Sequence, residues 1–171
     1  MRYLIFLFCF LVVMPVYALE VASTSFSQAG KIADRYTCSG ANVSPQLSWK
    51  DVPAGTKSFV IICEDTDAPM SAWVHWIIFN IPAATRDLPA GASPGNGFSD
   101  GTLEGVNDFG GNGYGGPCPP PGKSHRYVFH VYALDTKLTA YTGVLTKDDL
   151  HQAMRGHLLG QASTSGTYER S

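Results

Sequence analysis

The stretch Glu64-Asp65-Thr66-Asp67-Ala68-Pro69 places three carboxylates within four residues, directly after an apolar run. Three like charges that close need solvation or a cation. A solvated turn meets that need, because Asp at a strand end followed by Pro is ordinary turn chemistry. A site in which histidines neutralise the acids is the alternative. His75 lies in WVHWIIFNI (73–81), ten residues after Asp65 and eight after Asp67, so a short turn would let it meet both. Strand alternation puts it on the face of Trp73, Ile77 and Phe79, where a lone histidine also serves as a satisfied core residue. His125 opens the run RYVFHVYAL (126–134) and shares a face with Tyr127 and Phe129. His130 falls on the opposite face, so it cannot serve the same pocket. Arg126 also points away from His125 and suits a surface or structural ion pair.

Between these histidines lies GGNGYGGPCPPPG (110–122). Its glycines allow successive amides to point inward, as they do in anion-binding nests, and its prolines stiffen the wall. Paired aspartates raise the question of a metal, but no His-x-x-x-His or paired-Cys spacing accompanies them. No cofactor is called for. There is no G-x-S-x-G elbow and no evident base-activated nucleophile, so the chemistry expected is binding rather than hydrolysis.

Elements that could hold such groups in place are mostly strands. Ser58–Cys63, Trp73–Ile81 and Arg126–Leu134 are β-branched, aromatic and apolar on both faces, and Ala22–Phe26 and Gln46–Trp49 are shorter candidates. Runs of this kind separated by Pro and Gly turns argue for sheets covered on both sides, in a sandwich or barrel. One helix is expected after Thr146, an N-cap with Asp149 three residues on. Leu150, Met154, His157 and Leu158 would share its inner face, and Gly160 would stop it. Asp87–Asn107, rich in Gly, Ser and Pro, reads as a long surface connection.

The N-terminus reads as a cleaved secretory signal over residues 1–18: Arg2, an apolar stretch from Leu4 to Val16, then Val16-Tyr17-Ala18 with small residues where a signal peptidase cuts. The apolar stretch is short of the ~20 residues that a membrane span needs, and no later run is long enough. Residues 19–171 suit one domain. The chain carries 12 Lys and Arg against 14 Asp and Glu, which gives no electrostatic footprint for nucleic acid. Of the three cysteines beyond the signal, Cys63 sits in an apolar run as a core thiol. Cys38 and Cys118 sit in Gly/Pro-rich loops and could bridge in an oxidising compartment.

Taken together, YTCSGANVSPQLSW (36–49), EDTDAP (64–69), VHW (74–76), NIPA (80–83), NDFGGNGYGGPCPPPG (107–122), HRYVF (125–129) and GTYER (166–170) resemble the bacterial branch of the phosphatidylethanolamine-binding (Raf-kinase-inhibitor-like) proteins, in order and over nearly all of the mature chain. The resemblance implies a mainly β fold: a Greek-key β-sandwich of two antiparallel sheets with a few peripheral helices. It implies a small cavity for phosphate-like or phospholipid-headgroup anions. The family's acidic motif falls on Asp65, Thr66, Asp67 and Pro69, its histidines on His75 and His125, and its glycine-proline wall on Gly116 and Pro117, with Gly115 beside them. Thr66 stands where the family usually has proline, which loosens the turn and adds a hydroxyl. A nearby acid raises a histidine's pKa, so both imidazoles are expected to be charged near neutral pH and, with the Gly115 and Gly116 amides, to donate to phosphate oxygens. Binding should then be tighter at pH 5–6 than at pH 8. Relatives of the family inhibit kinases or peptidases, so a protein partner such as an extracytoplasmic peptidase is the second function implied.

Overall fold

The computed structural model describes residues 18–93, 98–139 and 145–171. The expected signal peptide, apart from Ala18, lies outside the described residues. The strands in chain order are β1 (Glu20–Ala22), β2 (Gly30–Lys31), β3 (Leu47–Lys50), β4 (Ser58–Asp65), β5 (Trp73–Pro82), β6 (Asp87–Leu88), β7 (Leu103–Glu104), β8 (Ser124–Leu134) and β9 (Leu158–Glu169). A 3-10 turn at Asp34–Tyr36 and helix α1 (Lys147–Ala153) complete the described elements. The strands form a three-stranded sheet, β1-β3-β6, and a six-stranded sheet, β2-β9-β8-β4-β5-β7. The sandwich is antiparallel except at one edge, where the two residues of β2 run parallel to β9. No helix among the described residues is long and apolar enough to cross a membrane.

Strand β4 (SFVIICED) is buried along its whole length because the large sheet is covered on both faces. Between the sheets, Phe59, Ile61 and Cys63 of β4 pack with Leu47 and Trp49 of β3, Trp76 and Ile78 of β5, and Tyr127 and Phe129 of β8. On the outer face, Val60 and Ile62 meet Val74, Ile77, Phe79 and Tyr132, roofed by Leu150 and Met154 of α1. This two-sided cover is why the long strands read as continuous apolar runs rather than alternating ones.

Four expectations about these elements need correction. The Ala22–Phe26 candidate is strand only at Ala22, where β1 ends. Alternation along β5 fails: Cys63 pairs with Trp76 and Glu64 with Val74, so His75 is the extra residue of a β-bulge. The bulge resets the parity, and Ile77 and Phe79 lie on the outer face while His75 turns inward with Trp76. The helix is also shorter than its apolar spacing suggests. Its Thr146 cap forms, with Asp149 completing the box, but it ends at Ala153 and a turn at Gly156 (φ 80°) follows. His157 lies beyond the helix, and Leu158 and Gly160 belong to β9, a long Ser- and Thr-rich strand that carries no apolar signal of its own. The stretch 87–107 carries the short sheet-edge strands β6 and β7.

Candidate functional site

Strand β4 lies between β5 and β8, and its last residue, Asp65, pairs with Trp73 on one side and Tyr127 on the other. The inward-facing side chains at this end of the sheet therefore come from three strands at once. Asp65, His75 and His125 are all buried. His125 Nδ1 donates to Asp65 Oδ2 at 2.7 Å, and Asp65 Oδ1 accepts the Asp67 amide at 2.9 Å. His75 Nδ1 donates to the Gly115 carbonyl at 2.6 Å, and the Gly115 amide donates back to the His75 carbonyl at 2.9 Å. With both Nδ1 atoms holding protons, the two Nε2 atoms carry lone pairs when the rings are neutral and become donors when the rings are charged. Among the described residues neither Nε2 has a hydrogen-bond partner.

The His75 ring packs edge-on against Tyr127, centroids 5.1 Å apart, and against Phe109 at the same separation. The Tyr127 hydroxyl is buried without a hydrogen-bond partner. Burial first, and then the charge of Asp65, push its pKa up, so it stays protonated as a donor. His75 departs from expectation. Burial holds its pKa below the ordinary histidine value, and the Gly115 carbonyl and the charge of Asp65 pull it back up without cancelling that effect. Desolvation of the ring outweighs the nearby acid.

The aspartates of the EDTD turn separate in role. Asp67 is exposed, and its Oδ2 accepts the Arg126 amide at 2.9 Å. Thr66 donates its amide to the Arg126 carbonyl and accepts from Arg126 Nε at 3.1 Å. The turn is thus pinned to the start of β8, with the Thr66 hydroxyl as one of the pins. Arg126 reaches that hydroxyl rather than a carboxylate.

The glycine wall is present, but its amides are engaged within the protein. Gly115 donates to His75 as above, and Gly116 donates to Asn42 Oδ1 at 2.8 Å, so neither amide is free for an anion in the way the sequence suggested. Gly116 is required by close approach: a Cβ there would lie 2.5 Å from the Tyr36 carbonyl oxygen and 2.9 Å from Thr37 Cα. Pro117 accepts the Cys38 amide at 3.1 Å, and Cys38 and Cys118 form a disulfide with Cα atoms 5.4 Å apart. The wall is therefore fastened to the 36–42 loop. Tyr114 adds a further bond, its hydroxyl donating to the Tyr36 carbonyl at 2.8 Å. Cys63 is a buried free thiol, its pKa raised chiefly by burial.

Sequence reasoning missed Asn42, Phe109 and the unpartnered Tyr127 hydroxyl. Tyr127 was readable as a face-mate of His125. Asn42, held at φ 54°, carried no chemical pattern of its own. Among the described residues no group of three or more His, Cys, Asp or Glu side chains is placed to hold a metal ion.

Comparison with known proteins gives one consistent result. The family model described as phosphatidylethanolamine-binding protein matches residues 22–169. The UPF0098 protein of Methanothermobacter thermautotrophicus is 46% identical over 152 residues, covering 89% of this chain and 99% of its own length. The UPF0098 protein of Aquifex aeolicus is 43% identical over 153 residues, covering 89% of each chain. Among solved structures, a phosphatidylethanolamine-binding protein homologue from Chlamydia trachomatis superposes with a TM-score of 0.82 at 39% identity, covering 91% of this chain and 99% of its own. YbcL of Escherichia coli, described as a new member of the mammalian family, superposes with a TM-score of 0.83 at 34% identity, covering 90% and 99%.

Proposed function

The chain belongs to the phosphatidylethanolamine-binding protein family, and we propose that within it this protein is an exported binding protein for small phosphate-like or phospholipid-headgroup anions, held at the Asp65–His75–His125 end of the sandwich. One observation carries the reading: among the described residues the Tyr127 hydroxyl, buried near the Asp65 carboxylate on a ring packed against His75, makes no hydrogen bond, and neither do the Nε2 atoms of His75 and His125. A buried polar group without a partner is costly, and a ligand oxygen would satisfy it. An anion would favour the charged form of each ring, in which Nε2 donates. Asp65 would then balance the His125 charge rather than repel the ligand. Binding rather than turnover is the proposal, in keeping with the lack of a G-x-S-x-G elbow in the sequence. Export is supported by the Cys38–Cys118 bridge, a bond that persists in oxidising compartments.

The test is calorimetric titration of phosphoethanolamine and of inorganic phosphate into the wild-type protein and His125→Ala. The wild type should bind both, and the variant should lose about tenfold or more in affinity, the effect of removing one charged donor. Equal binding by the two proteins contradicts the assignment.

A second reading has its own support. Trp73 and Phe109 lie edge-on, 5.6 Å apart, and stay 39% and 52% exposed at the rim, with Met70 fully out in the preceding turn. An exposed apolar rim of this kind suits a protein partner. Partner capture that phosphoethanolamine competes away, and that Phe109→Ser abolishes, would favour regulation of a protein over ligand binding alone.

A further inference from the structure

The outer face of the large sheet holds a second concavity, away from the His75 and His125 end. It has a volume of about 310 Å³ and lies between the end of α1, the following turn and strands β8 and β9. That is at the lower end of the ~300–1,000 Å³ that small-molecule sites span. Met154, Leu158 and the Tyr132 ring give it apolar surface, while His151, Arg155 and Gln161 give it polar groups. No carboxylate lines it. Met154 and Tyr132 are buried, whereas Leu158 stays 48% exposed.

Its lining holds one fixed charge, the Arg155 guanidinium. Lys147, His151 and Arg155 recur at four-residue intervals along α1 and the turn after it. Lys147 is bound to Glu64 at 2.8 Å. Asp135, at the end of β8, is bound by His157 at 2.8 Å. Among the described residues Arg155 and His151 have no ion-pair partner. The Tyr132 ring is held in place by edge-on contact with His151 on one side and stacking on His130 on the other. A fixed aromatic and apolar floor beside an uncompensated guanidinium is the layout that takes a carboxylate carrying a flat apolar tail.

We infer that this concavity is a second ligand site, for a small amphiphilic monoanion of the aryl- or alkyl-carboxylate class. The tail would lie over Met154, Leu158 and the Tyr132 ring, and the carboxylate would take the Arg155 guanidinium, with His151 and Gln161 as further donors. The site shares no residue with the phosphate-binding end and stands whether or not that reading holds.

The probe is 3-phenylpropionate, titrated into the protein and followed by backbone amide shifts, with 3-phenylpropanol and 3-phenylpropylamine as neutral and cationic controls. The expected result is saturable shifts at His151, Arg155, Gly156 and Gln161, with none at His125. The alcohol should bind about three- to fivefold more weakly, the scale of one exposed charge pair, and the amine more weakly still. Arg155→Gln should bring the acid down to the affinity of the alcohol while leaving the rest of the spectrum unchanged. Equal binding of acid and alcohol overturns the charge assignment. Absence of saturable shifts up to tens of millimolar, or shifts confined to the His125 end, overturns the site.

Discussion

Glu64 and Asp65 are neighbours on one strand, each facing a histidine of β8 across the sheet, and they have opposite fates. On the outer face Glu64 takes Lys147 at 2.8 Å, with His130 Nε2 at 3.9 Å, so a permanent cation answers its charge. On the inner face Asp65 takes His125 and the turn amide of Asp67 and lies near the Tyr127 hydroxyl, and the His125–Asp65 pair is nearly sealed, with side-chain exposures of 8% and 7%. The first arrangement is closed: its charges balance without help. The second has a histidine, His75, whose charging is opposed by burial, and a hydroxyl with no partner among the described residues. A carboxylate beside a histidine does not by itself make a site. What sets the inner group apart on the proposed reading is that, among the described residues, no lysine or arginine pairs with it, so its proton count could respond to a ligand.

The largest way to test that contrast is through the disulfide, which fastens the glycine-proline wall of the inner face to the 36–42 loop. Replacing Cys38 and Cys118 with serine opens a loop of 80 residues in sequence separation. It should cost about 2–4 kcal/mol of stability in chemical denaturation. Phosphate affinity should fall with it, while the amide shifts of His130 and His151 stay in place. If the outer-face shifts move as much as those of Gly115 and Gly116, the two faces are not independent.

Next in size is the pair of carboxylate replacements. Asp65→Asn removes the group that orients and balances His125 and should cost about 1–3 kcal/mol in thermal or denaturant unfolding, with phosphate binding down at least about tenfold. Glu64→Gln leaves Lys147 able to reach water and should leave phosphate affinity within about twofold. A similar loss of binding in both variants would erase the distinction between the faces.

The smallest effect is a pH slope. Burial depresses the pKa of His75 in the folded protein, so the unfolded chain binds more protons below about pH 6.5. The stability that this contributes is present above that pH and is lost as pH falls through the folded value. The slope for one group is at most about 1.4 kcal/mol per pH unit. His75→Gln should flatten the slope. Saturating phosphate should reverse its sign, because the bound form favours the charged ring. His130, also depressed by burial, should give a slope of the same sign that phosphate leaves unchanged.

Much of the inner site was legible because its groups are chemically loud. Asp65, His75 and His125 announce themselves as charges among apolar strands, and the glycine-proline wall as a loop that must be shaped. What escaped was set by geometry that no local pattern encodes. The bulge at His75 depends on how β5 pairs with β4, so alternation put Ile77 and Phe79 on the wrong face. The amides of Gly115 and Gly116 looked free because their acceptors, His75 and Asn42, lie about 40 and 74 residues away. Strand β9 hid because its Ser- and Thr-rich surface is stabilised by pairing along the whole of β8 rather than by apolar burial. The helix was overextended because Leu158 keeps helical spacing with Leu150 and Met154 although it opens a strand.

The most direct test of the central claim is the proton count on binding. Phosphoethanolamine should be titrated at pH 7.5 in two buffers of different ionisation enthalpy, and again at pH 5.5. If His75 takes up a proton as the anion binds, the observed enthalpy will change between buffers in the direction of net uptake, and the affinity will be higher at pH 5.5. Buffer-independent enthalpy together with equal affinity at the two pH values would contradict the account.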